Sequence, residues 1–141
     1  KKEITMSTSQ TFACHKIIRS KDAQWMQQHN ILAQTHPIPL DQKEALLKNK
    51  LMEEAGEVTT AHTHDKSLSE LVHVQETIWA LLHQWEISQA GFEKMCQEKP
   101  TLRGSYADAV LLTGISLNDD NDQYPHFKSH PEKFIPVSEK V

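Results

Sequence analysis

The sequence predicts an all-α protein: a helical bundle of about four to five helices followed by an irregular C-terminal tail. Two observations carry this. Apolar residues recur at three- and four-residue intervals in successive stretches, the spacing that lines one face of a helix. Capping and breaking residues divide those stretches at Pro37 and Pro39, Ser67, Ser88 and Pro100. A chain of 141 residues is long enough for one domain with one core. Its apolar content of 38 % is low for a compact domain, yet the apolar residues concentrate between Ile17 and Leu112. The reading is one domain over residues 1–113 and a polar extension over 114–141.

Phe12–Ala33 carries Ile17, Ile18, Trp25, Met26, Ile31 and Leu32 at helical spacing and predicts a first helix. His36-Pro37-Ile38-Pro39 breaks the chain, because proline lacks the N–H that a helix interior needs. A second helix should start at Asp41, where Asp41-Gln42-Lys43-Glu44 reads as a capping box. It continues through Leu47, Leu51, Ala55 and Val58 to about His62. Gly56 inside it costs about 1 kcal/mol relative to alanine and suggests close approach of another group to the backbone. After a connection over His62–Lys66, a third helix should open with Ser67 as N-cap and run to Trp85. Its apolar residues cover more than one face, which marks it as the most buried. Ser88 can cap a fourth, shorter helix stopped at Pro100. From Gly114 onward Asn, Asp, Ser, His and Pro dominate, the composition of irregular chain.

Several function classes are disfavoured. The formal net charge is −4, with acidic and basic residues mixed, and no basic stripe points to nucleic acid. No apolar run approaches the roughly 18 residues of a membrane span. Cys14 and Cys96 have no metal-ligand spacing, and no charged-then-apolar segment opens the chain, so a reduced, cytoplasmic protein is expected.

The chemistry is concentrated in two acidic clusters. Glu54 and Glu57 lie three residues apart on the second helix, and Glu70 and His73 three apart on the third, so each pair shares one helix face. In an antiparallel hairpin turning near residues 64 and 65, Glu57 faces the region of Glu70 and Glu54 that of His73. Three carboxylates at one level call for a cation, since like charges a few ångströms apart cannot all stay ionised. A divalent ion held there is suited to a phosphate substrate. Structural readings stand beside this one. Ser67-Leu68-Ser69-Glu70 is itself a capping box, and Glu53 can pair along the helix with Lys50. His62 and His64 read as solvated loop residues. Trp25, Trp79 and Trp85 read as core or interface, with stacking on a base as the alternative.

The chain resembles the all-α nucleoside triphosphate pyrophosphohydrolases, the MazG-like and phosphoribosyl-ATP pyrophosphohydrolase-like group. Its EExxE signature is matched by Glu53, Glu54 and Glu57, and its ExxD in part by Glu70-Leu71-Val72-His73. His15–Lys21 is similar to the family's K-L-V-R-D-K segment, with Ser20 in place of aspartate. Lys99–Tyr106 is similar to its K-x-x-x-R-G-G-F segment. The likeness spans roughly residues 13 to 112. It implies hydrolysis of a nucleoside triphosphate, or a related nucleotide, to monophosphate and pyrophosphate. It further implies Mg²⁺ held by Glu54, Glu57, Glu70 and the residue at His73, and Glu53 as a further ligand or the base that orients water. Lys99 and Arg103 would contact phosphate, with Lys16, Arg19 and Lys21 as further candidates.

His73 departs from the pattern. Imidazole is neutral and suits Mn²⁺, Co²⁺ or Zn²⁺ better than Mg²⁺. Three outcomes stay open: a different ion, magnesium held through three ligands, or a degenerate helical protein that binds a nucleotide or a partner without hydrolysis. A half-exposed hairpin also leaves apolar surface, so a homo-oligomer, dimer or tetramer, is expected.

Overall fold

The computed structural model describes residues 9–107 and 110–137, without the Leu102 side chain. Among the described residues it is all-α, with five helices: α1 Asp22–Gln28, α2 Leu40–Thr60, α3 His64–Gln84, α4 Gln89–Arg103 and α5 Tyr124–Lys128. The chain divides into two compact units, Lys1–Leu102 and Arg103–Val141. Among the described residues, no helix is long and apolar enough to cross a membrane.

In the first unit α2 and α3 are the helices that pack together, as an antiparallel hairpin. Its buried stripe is short. Leu47 and Glu54, seven residues apart, come from α2; Glu70, Thr77, Leu81 and Leu82 come from α3. Seven-residue spacing returns a side chain to the same face after two turns, so the leucine end and the glutamate end belong to one continuous seam. Leu47, Leu81 and Leu82 are the apolar residues fully buried among those described.

Helix boundaries differ from the sequence expectations for local reasons. The expected first helix over Phe12–Ala33 shrinks to the seven residues of α1. Its start is fixed where Asp22 Oδ2 accepts the Arg19 N–H at 2.8 Å. It ends in a Schellman motif: Asn30 takes a left-handed φ of 59°, and the Ile31 N–H reaches the Met26 carbonyl at 2.9 Å. The Asp41–Glu44 capping box does not form. α2 is entered through Pro39 without a side-chain cap, and Glu44 pairs with Lys48 instead.

α3 starts three residues before Ser67, because Thr63 is the cap: it is extended and its hydroxyl accepts the Lys66 N–H at 3.2 Å. The connection from α2 is therefore Ala61–Thr63. α3 ends in a second Schellman motif, with Glu86 at φ 56° and the Ile87 N–H on the Leu82 carbonyl at 2.9 Å. Ser88 caps α4 as expected, its Oγ accepting the Gly91 N–H at 3.1 Å. α4 passes through Pro100 to Arg103 instead of stopping there. Proline removes one backbone donor in that last turn, and Thr101 Oγ1 adds a bond to the Gln97 carbonyl. No neighbouring group among the described residues comes within 4 Å of where a Gly56 Cβ would stand, so the close approach its position suggests is not made there. In the second unit, Phe127 and Phe134 pack edge to face with ring centroids 4.6 Å apart.

Candidate metal centre

The glutamate end of the α2–α3 seam is where the acidic pairs converge. One ligand atom from each of Glu54, Glu57, Glu70 and His73 lies within 4.8 Å of the other three. A cation bonded at about 2.1 Å would set opposite ligands about 4.2 Å apart, so a small contraction closes this set around an ion. Glu54 and Glu70 are 2 % and 1 % exposed. Carboxylates are almost never buried so fully without a partner, because losing water costs several kcal/mol per ion. Here they occupy positions that leucine fills at the other end of the same seam.

Each buried carboxylate is split between two environments. Glu54 Oε1 receives Lys50 Nζ at 2.6 Å, and Glu70 Oε1 receives Lys66 Nζ at 2.6 Å. The second oxygens, Glu54 Oε2 and Glu70 Oε2, are buried without a hydrogen-bond partner among the described residues. Both point towards His73, whose Nδ1 lies 3.4 Å from the first and 3.0 Å from the second, outside hydrogen-bond alignment. Two unpartnered anionic oxygens and an imidazole nitrogen converging on one point form a ligand set suited to a divalent ion.

Glu57 stands at the exposed side of the group. Partial loss of water and the neighbouring negative charges of Glu54, Glu70 and Glu53 hold its carboxyl above the usual range. Glu70 goes the other way, because the Lys66 ammonium favours its charged form. Burial lowers the proton affinity of Lys50, but its bonds to Glu54 and Glu53 outweigh that and raise it. Beside the group opens a cleft of about 300 Å³ lined by Glu57, Thr60, Ala61, His62, Lys66 and Glu70.

The structure thus brings together Glu54, Glu57, Glu70 and His73. The turn is tighter than the sequence suggested and centres on His62, so Glu54 and Glu70 each lie eight residues from it. The clusters still meet because an i, i+3 pair spans a turn of helix. Glu70 is not spent on a capping box, since Thr63 caps α3. Glu53 does not join the four. Its Oε1 binds Lys16 at 2.9 Å and Lys50 at 3.2 Å, and Lys16 draws its carboxyl below the usual range.

Arg19 bonds Glu76 on α3 at 2.6 Å, so the segment before α1 touches both helices of the hairpin. Lys21 is exposed, and Lys99 and Arg103 are exposed near the end of α4. Among the described residues Lys99 makes no ion pair, and α4 does not pack on α2 or α3. His62 is exposed on the cleft and His64 begins α3. Trp79 lines a separate cleft of about 280 Å³ with Leu82 and Ile87.

The expected Lys50–Glu53 pair is present, but sequence reasoning missed the bonds of Lys50 to Glu54 and of Lys66 to Glu70. The signal was present: lysine precedes glutamate by four residues at both Lys50–Glu54 and Lys66–Glu70. The same order also occurs at the exposed Lys94–Glu98 pair on α4, so burial of the glutamates, not the spacing, sets the first two pairs apart. Comparison with protein-family models, curated proteins and solved structures gives no match to this chain.

Proposed function

We propose that the α2–α3 hairpin holds a divalent cation and hydrolyses a nucleoside triphosphate, or a related nucleotide, to the monophosphate and pyrophosphate. The observation that carries this reading is the pair of buried, unpartnered oxygens, Glu54 Oε2 and Glu70 Oε2, aimed with His73 at one point. The ordered resemblance of the EExxE, ExxH and flanking basic segments to the pyrophosphohydrolases supports it. With imidazole among the donors, Mn²⁺ or Co²⁺ suits the set better than Mg²⁺.

The bound ion would supply Lewis-acid stabilisation of phosphate charge. The residues supply position. Glu54 and Glu70 are held by the packing of two helices and by their lysines, so little reorganisation is needed when the ligand shell closes. Glu57, on the exposed side of the ligand set and lining the cleft, would also orient a water arriving from it. That water forms a bond to the α-phosphorus and gives up a proton to solvent, the bond from that phosphorus to the bridging oxygen breaks, and pyrophosphate leaves with the electron pair of that bond. Lys16 and Lys50 hold Glu53 and temper the negative charge.

Self-association belongs to the same proposal. Leu68, Leu71, Val72 and Trp79 lie along α3 and are 44–55 % exposed, while the described core holds three buried leucines. So small a core is marginal by itself, and a second copy covering this face would complete a four-helix arrangement. The free, exposed Cys14 and Cys96 fit a reducing, cytoplasmic setting.

A second reading rests on His73. With imidazole in place of a hard oxygen ligand, the site can bind a nucleotide without turning it over. The deciding experiment incubates the purified protein with a panel of nucleoside triphosphates and Mg²⁺, Mn²⁺ or Co²⁺, and separates the products. Monophosphate and pyrophosphate in equal amounts are expected. Orthophosphate alone, or no product with any ion, overturns hydrolysis at the α–β linkage.

A further inference from the structure

Building on the metal-and-nucleotide reading, we infer that Lys66 is a phosphate-contacting residue of the cleft: its exposed ammonium pairs with Glu70 in the free protein and meets a phosphate oxygen of the bound nucleotide. Three observations lead there. Lys66 and Lys50 both bind a buried glutamate at 2.6 Å, but their surroundings differ. The Lys50 side chain is 20 % exposed and is shared by Glu53 and Glu54, so its donors are committed. The Lys66 side chain is 65 % exposed and holds one carboxylate oxygen, leaving ammonium donors facing water. Lys66 also lines the cleft from which Glu57 is reached, alongside Glu57 itself and Glu70. A ligand bridging the cation and that cleft must pass within reach of it.

Charge gives the physical need. Four carboxylates, Glu53, Glu54, Glu57 and Glu70, face three ammonium groups, Lys16, Lys50 and Lys66. The group carries one formal negative charge, and a divalent cation turns it to one positive. Without the lysines the loaded site would keep two negative charges and repel a polyphosphate. Lys16 and Lys50 are drawn to Glu53, on the flank of the cluster. Lys66 is the ammonium on the cleft side, and a charge-assisted bond from it to phosphate is the stronger kind. Its backbone N–H already serves Thr63 in the α3 cap, so the side chain can change without loss of the helix start.

The test uses calorimetry on the whole chain with two probes: Mn²⁺ alone, then inorganic tripolyphosphate at saturating Mn²⁺. The variants are Lys66→Gln, Lys66→Arg and, as a charge control on α4, Lys94→Gln. Lys66→Gln should bind Mn²⁺ at least as well as the unaltered protein, since a Glu70 oxygen is released. Its affinity for tripolyphosphate should fall about tenfold or more, the scale of one charged hydrogen bond. Lys66→Arg should recover most of that loss, and Lys94→Gln should show none. A fall of less than about threefold in Lys66→Gln, or a loss of Mn²⁺ binding in step with it, overturns the phosphate role alone. An unaltered protein that binds no Mn²⁺ overturns the metal-centre reading, and this inference with it.

Discussion

Glu54 and Glu70 meet across two helices in mirrored states, each giving one carboxylate oxygen to the lysine four residues before it and burying the other beside His73 with no hydrogen bond among the described residues. A carboxylate needing only charge compensation would turn both oxygens to donors or water. Keeping one oxygen on each helix without a hydrogen bond is an arrangement that a cation would complete.

Metal binding should therefore stabilise the fold. An ion that binds the folded chain and not the unfolded one contributes about 2.7 kcal/mol at a hundred times its dissociation constant. Thermal unfolding followed by circular dichroism should shift upward with Mn²⁺, and Glu57→Gln should remove most of the shift. The same shift in Glu57→Gln and the unaltered protein would take Glu57 out of the ligand set.

The glutamate positions were legible in the sequence because an i, i+3 pair fixes a shared face whatever the exact helix ends. The ends themselves were not. Thr63 rather than Ser67 caps α3, and a Thr-x-x-Lys start carries no acidic partner to announce it. Asn30 and Glu86 close α1 and α3 in left-handed conformation where no glycine marks the stop. The two lysines were hidden for another reason. A lysine near a glutamate on a helix reads as surface pairing until burial shows that Glu54 and Glu70 lie in the seam.

Glu86 offers a stability test that leaves the centre untouched. A left-handed residue with a Cβ costs roughly 1–2 kcal/mol, and glycine returns part of that gain in chain entropy. Glu86→Gly should stabilise the protein by about 0.5–1 kcal/mol in urea unfolding. Destabilisation would mean that the Glu86 side chain contributes more than its backbone costs.

The exposed face of α3 predicts a change of assembly. Val72 is 54 % exposed beside Leu68 and Leu71 and is not among the buried residues of the seam, so Val72→Asp leaves the buried core of the single chain in place. A carboxylate in an apolar subunit contact is strongly unfavourable. Sedimentation velocity should show the unaltered protein as a dimer or tetramer and Val72→Asp shifted towards monomer. An unaltered protein that is monomeric throughout, or a Val72→Asp assembly of unchanged size, would exclude this face as the contact.

His73 separates hydrolysis from binding. Its Nδ1 sits between two bare carboxylate oxygens, 3.0 and 3.4 Å away, so the donor set mixes hard oxygen with softer nitrogen. Magnesium prefers near-octahedral oxygen and dehydrates reluctantly, whereas manganese and cobalt accept imidazole. At equal concentrations of metal, turnover should be higher with Mn²⁺ or Co²⁺ than with Mg²⁺. His73→Asp should move the preference to Mg²⁺, because it supplies a further carboxylate, half-exposed, in the same i, i+3 position. Disturbing the groups that merely orient a ligand commonly costs about 10- to 100-fold in metal affinity or activity, and losing the ligand itself costs no less. His73→Ala should therefore fall by at least that factor with every ion if the imidazole ligates. If the unaltered protein is inactive with each metal and His73→Asp gains hydrolysis, the chain is a binder whose catalysis is blocked at this one position. If His73→Ala binds Mn²⁺ as tightly as the unaltered protein, the imidazole is a neighbour of the ion and not its ligand.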